Sequence, residues 1–268
     1  MNDNLPLPFL LRYDAWVLVI ILFLLMIVFI RLGAYFGRHR KRKEEYQDNP
    51  ANSTVYGSIL GLLAFILGFT FSMSGTRYEN RHQAIVNEAN CIGTAILRAD
   101  IYPDSDRTIL RTHFKNYLQA RIDYIKAGPD LNKIAAADKA LAHHQALLWG
   151  HAVWFSKHNP SILISGQMLP WLTDMFDAAE FTRNSEIIRV PQSVVIMLFS
   201  LSLIGAFFLG YLSVGKGRFD WVTGIGFCVL SSIVIFITLD LDRPRRGLID
   251  MDASWYAIIS QMSNFENQ

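Results

Sequence analysis

The chain has 268 residues, 51% of them hydrophobic and 18% charged, with a mean hydropathy of +0.23; ordinary soluble domains carry about 25% charged residues, so this composition indicates a membrane protein. The formal net charge of +2 excludes the strongly basic footprint of a nucleic-acid binder. Cys91 and Cys228 are too few for a disulfide framework, and Cys228 sits in an apolar run where it reads as a small core residue.

A bilayer core of about 30 Å is crossed by about 20 apolar helical residues, and four charge-free runs approach that length. The first, Ala15–Ile30, extends through Leu32 to Phe36 if Arg31 snorkels to the interface. Its leading segment sets Arg12 against Asp3 and Asp14, and no small-x-small site follows it, so it reads as a retained helix rather than a signal peptide. Val55–Thr76, Val190–Gly215 and Trp221–Leu239 are the other three. The link after the first run clusters Arg38, Arg40, Lys41, Arg42 and Lys43, and the link between the third and fourth adds Lys216 and Arg218. Basic loops stay cytoplasmic. Both termini and residues 77–189 are therefore expected outside the cytoplasm, in the inner membrane of a bacterium, although Arg243, Arg245 and Arg246 on the other side count against this orientation.

Residues 77–189 carry most of the charge and repeat their apolar residues every three or four positions, the helical spacing. The second membrane helix runs on beyond the bilayer, with Ile85, Ala89, Ile92 and Ile96 on one stripe, and stops near Ile101 to Pro103. Asp104 or Ser105 is expected to cap a helix ending near Lys126 before Gly128 and Pro129. Asp130 caps another running to about His158, which Asn159 and Pro160 break. A last helix from Ser161 to about Thr182 leads to Pro191, which opens the third membrane helix, and Ile249–Phe265 reads as a short amphipathic helix. The fold class is thus all-α: a polytopic membrane protein with four transmembrane helices and a helical bundle inserted between the second and third. The expected divisions are 1–76 for two membrane helices and their basic loop, 77–189 for the bundle, 190–240 for the other two membrane helices, and 241–268 for a basic turn and short helix.

The stretch GLLAFILGFTFSMS at 61–74, then RYENRH, NEANCIGTAILRAD, and DLDRPRRG at 240–247, resembles the bestrophin-like domain family of bacterial membrane proteins over residues 55–125 and 190–250. The family is named for its distant likeness to bestrophins, pentameric anion channels with four membrane helices per subunit and a large helical domain between the second and third. The resemblance implies that layout, a homo-oligomer in the lipid bilayer, and small anions as permeant partners. In bestrophins the helical domain is cytosolic, opposite to what the basic loops imply here, and no acidic run of the bestrophin calcium site stands out.

Two groups of residues are candidates for function. Gly57, Gly61, Ala64, Gly68 and Ser72 form a small-residue stripe on the second membrane helix. It serves either close helix packing, within or between subunits, or a pore lining in which Phe65, Phe69 and Phe71 make apolar constrictions. The second and fourth membrane helices leave the bilayer on the same face. Arg77, Glu79, Arg81 and Glu88 are therefore expected at the depth of Asp240, Asp242, Arg243, Arg245 and Arg246. They form a salt-bridge lattice or a charged pore mouth that concentrates anions, the expected pairs being Asp240 or Asp242 with Arg77 or Arg81.

His144, His151 and His158, with His143 beside them, repeat every seven residues. Neighbours on that stripe are ~10 Å apart, too far for one helix to ligate a metal, so it reads as a solvated or intersubunit stripe, with a pH-sensing line as the alternative. No phosphate-binding glycine loop, G-x-S-x-G elbow or HExxH occurs, so neither enzymatic chemistry nor a cofactor is expected. Arg31 is the one charge within the spans, which disfavours a carrier using buried carboxylates. The functional expectation is an oligomeric, anion-permeable channel lined by the second helix. The alternative is a membrane-anchored sensor or scaffold whose helical domain binds a ligand or protein partner.

Overall fold

The computed structural model describes residues 13–42, 50–159, 162–213, 221–245, 247–249 and 251–265. Lys43, Pro160, Lys216, Arg218 and Arg246 lie outside the described residues. Every regular element described is helical: α1 Ala15–Arg42, α2 Pro50–Arg98, α3 Asp104–Lys126, α4 Leu131–His158, α5 Ile162–Ile187, α6 Gln192–Ser213, α7 Trp221–Leu241 and α8 Asp252–Ile259, with short 3-10 turns at Ala99–Ile101 and Ser260–Phe265. Four stretches are long and apolar enough to cross a membrane, within Ala15–Arg40, Thr54–Ile101, Gly166–Ser213 and Trp221–Leu241. The all-α membrane fold expected from the sequence is the fold observed.

The chain divides into two compact units, one of residues 1–76 and 189–243, the other of 77–188 and 244–268. In the membrane unit α1 packs against α6 and α7. Leu22, Met26, Ile30, Ala206, Cys228 and Ile235 are sealed in its core. The closest approach there is made by glycine. A Cβ on Gly33 would collide with the Phe207 carbonyl, and one on Gly210 with the Ile30 carbonyl, so α1 and α6 meet backbone to backbone.

The extramembrane unit gathers the second half of α2 with α3, α4, α5 and α8. The stripe Ile85, Ala89, Ile92 and Ile96 is fully buried against Leu110, Phe114, Leu148, Leu172 and Ile258. Gly128, at φ 55°, turns the chain out of α3 in the left-handed region that glycine adopts without strain. Asp130 then caps α4, its carboxylate accepting from the backbone N–H groups of Asn132 and Lys133.

Three expectations about helix ends are corrected. Neither Asp104 nor Ser105 caps α3: Pro103 holds the cap position with no side-chain bond, and Asp104 lies inside the first turn paired with Arg107 at 2.6 Å. The helix expected to stop near Thr182 continues to Ile187. Its last turn is supported by Arg81, whose Nε and Nη2 donate to the carbonyls of Ser185 and Ile188 at 3.0 and 2.9 Å. The first helix continues beyond Phe36 through the basic residues to Arg42, where Arg40 donates to the Tyr211 hydroxyl at 2.8 Å.

Candidate functional site

Helix α2 is continuous for 49 residues, roughly 70 Å at the usual helical rise, more than twice a bilayer core. One face of its membrane half is anchored: Leu63, Thr70 and Ser74 are buried, and the Thr70 hydroxyl donates back to the carbonyls of Ile66 and Leu67. The opposite face is bare. Gly57, Gly61, Ala64, Gly68 and Ser72 are all exposed, and a Cβ added to Gly57, Gly61 or Gly68 would meet nothing within 4 Å. Phe65 and Phe69 beside them are 71% and 62% exposed, and Phe71 is exposed as well. Packing among the described residues therefore does not account for the small-residue stripe. Gly33 and Gly210 bring helices together within this unit, and neither belongs to the small-residue stripe of α2. Gly210 lies amid the bulky residues Phe207, Phe208 and Tyr211, and no regular spacing marks it or Gly33.

Each charged position singled out from the sequence has a definite setting. On α2, Glu79 accepts from Gln83 at 3.1 Å, Arg77 is half-buried, and Arg81 is buried on the end of α5. Glu88 has no exposed surface and takes both bonds of a fork from the equally buried Arg121, at 2.5 and 2.8 Å. Burial pushes the Arg121 pKa down, but Glu88 outweighs it and holds the guanidinium charged. In the membrane unit, Asp240 and Asp242 are buried. Asp242 accepts from the Val190 N–H at 2.6 Å, and Arg243 donates to the Tyr13 carbonyl. In the extramembrane unit Arg245 lies 4.4 Å above the Tyr124 ring. It donates to Glu186 at 2.7 Å and to the carbonyls of Tyr124 and Gly128. Arg121 and Glu186 were missed in the sequence. The signal for Arg121 is its place on the stripe of Tyr117, Leu118 and Ile122, where a charge calls for a buried partner.

The histidine stripe is solvated only in part, with His143 exposed. His144 and His151 are half-buried against α3, which contributes His113, and His151 Nε2 lies 3.1 Å from Asp106. Burial first, then His151, His144 and His143, push the His113 pKa below its ordinary value. His158 is exposed and bonded to the Trp154 carbonyl. No group of three or more His, Cys, Asp or Glu side chains is placed to hold a metal among the described residues.

No protein-family model and no curated protein matches this chain. Its similarity is to solved structures. A single-substitution variant of the bestrophin homologue of Klebsiella pneumoniae superposes with a TM-score of 0.74 at 12% identity, over 96% of this chain and 99% of the other. A further structure of that homologue gives 0.69 at 12% identity, over 93% and 97%. A structure described only as a membrane protein gives 0.66 at 15% identity, over 93% and 97%.

Proposed function

We propose, taking the bestrophin fold as premise, that this protein is a homo-oligomeric, anion-permeable channel of a bacterial inner membrane, with α2 lining the pore. The observation that carries the reading is the bare face of α2. Gly57, Gly61, Ala64, Gly68 and Ser72 keep that face narrow, while Phe65 and Phe69 stand out from it into space that none of the described residues fills. A ring of such helices around an axis encloses a conduit, and aromatic side chains projecting into it make constrictions that gate by losing water. The orientation that follows from the basic loops puts both termini and the helical domain outside the cytoplasm.

The experiment is ion flux from liposomes containing the purified protein, with chloride, nitrate and iodide as test anions, alongside a cryo-EM reconstruction in detergent. Flux of these anions and a rotational axis lined by α2 are expected. Silent liposomes together with an assembly that has no axis would defeat the proposal. The second reading, a sensor or scaffold, draws on the same helix, which runs unbroken from the bilayer into the extramembrane unit and is suited to pass a displacement along its length.

A further inference from the structure

The channel reading leaves unused a cavity of about 290 Å³ between α3, α4 and α5, wholly within the extramembrane unit. Its most buried lining residues are Tyr117 and Arg121, each 2% exposed. Arg121 offers no anion site, because Glu88 holds its guanidinium through both oxygens. Burial and the nearby Glu88 push the Tyr117 phenol up, so it stays protonated. Its hydroxyl finds no hydrogen-bond partner among the described residues. The hydroxyl opens to the cavity, where a ligand atom can bond it.

The remaining walls are acidic. Asp138, Asp177 and Glu180 face one cation, Arg183, which stands 3.8 Å from Asp138. The rings of Tyr117 and Phe176, with centroids 6.2 Å apart, add π faces that attract positive charge. No set of three or more acidic or histidine side chains converges closely enough to hold a metal ion among the described residues. The charge is spread along the cavity instead, with the apolar Leu141, Ala142 and Ala179 between. That pattern matches ammonium groups joined by a hydrocarbon chain.

We propose that this cavity binds a small aliphatic polyamine, one ammonium donating to the Tyr117 hydroxyl beside the aromatic pair and another to the carboxylates of Asp177 and Glu180. The test is calorimetric titration of the full-length protein in detergent micelles with spermidine, and in parallel with magnesium and with glutamate. Saturable spermidine binding is expected, with neither magnesium nor glutamate competing at equal concentration. Tyr117→Phe keeps the ring and removes a hydroxyl that bonds to nothing in the protein. It should leave the melting temperature of the unliganded protein unchanged and weaken spermidine by about tenfold, the loss of one bond to a charged group. Glu180→Gln, at an exposed position where the glutamine carbonyl can still accept the bond from Asn184, should weaken it by a similar factor. Absence of saturable binding, equal competition by magnesium, or unchanged affinity in both variants would overturn the proposal.

Discussion

Glycine at positions 33 and 210 and glycine at positions 61 and 68 look alike in sequence but have opposite surroundings. The first two face backbone carbonyls of the neighbouring helix, which cannot move aside as a flexible side chain can. Gly210→Ala and Gly33→Ala are therefore expected to destabilise the membrane unit by at least the ~1–3 kcal/mol of an overpacked core, read as a fall in melting temperature in detergent. A Cβ at Gly61 or Gly68 meets nothing within 4 Å among the described residues, so Gly61→Leu and Gly68→Leu add bulk on an open face. Where neighbouring α2 helices touch through these glycines, both variants should fold with an unchanged monomer but assemble weakly, as seen in mass photometry; wild-type assembly would mean that this face looks at lipid or at the pore lumen. The Glu88–Arg121 pair is a second point of residue-level sensitivity. Glu88→Gln leaves a buried guanidinium with no opposing charge and should cost about 3–5 kcal/mol. Replacing both residues, as Glu88→Leu with Arg121→Met, should cost less than Glu88→Gln alone, because no charge then remains to be desolvated. A double variant less stable than the single one would show that the pair contributes more than its own neutralisation.

At the scale of elements, the seam between α3 and α4 is where acidity acts. His113 from α3 lies among His143, His144 and His151 from α4, with Asp106 opposite His151, while burial and then Asp106 push the nearby Tyr102 phenol up to about 12, leaving it neutral. His113 and His144 both have pKa values below the ordinary one in the folded protein, burial being the first cause for each. The unfolded chain therefore takes up protons near pH 6.5, before these folded imidazoles do. Stability is full above about pH 6.5 and falls as pH drops from there through the depressed folded values. The expected result is a melting temperature that declines as pH falls below about 6.5, and a smaller decline in His113→Gln. An equally steep decline in that variant would place the acid sensitivity elsewhere. The long helix α2 serves two environments: its outer half is an ordinary amphipathic core helix with a buried stripe, whereas its membrane half buries only the side bearing Leu63, Thr70 and Ser74.

For the whole molecule, orientation is the property that the basic residues address. With the loop after α1 in the cytoplasm, a cysteine introduced near Arg38 should resist a membrane-impermeant maleimide in intact cells, and one near Gly128 should react with it. The reverse labelling would put the helical domain in the cytoplasm, where bestrophins carry theirs. Cys91 and Cys228 are half-buried and buried, so the background from native thiols should be low, and burial pushes the Cys91 thiol up, away from the reactive thiolate.

The sequence alone determined what depends on local composition and period. Charge-free runs of bilayer length are long enough to span a membrane as helices, which satisfy every backbone group within the run, and three-and-four spacing over residues 77–189 is the helical period, so the number, order and approximate limits of the elements were legible. The buried stripe from Ile85 to Ile96 and the cap at Asp130 were legible for the same reason. Tertiary structure decided which side chains meet. The partner of Glu88 lies 33 residues away on another helix. The carbonyls that hold Arg81 lie more than 100 positions off. Nothing in a stripe of glycines tells whether a neighbour's backbone or empty space stands opposite. Spacing along one helix is a one-dimensional quantity, whereas burial of Gly210, exposure of Gly61 and the gathering of four histidines across a seam depend on how separate helices cross. That crossing is set by the sum of many weak contacts, none of which is written at a single position.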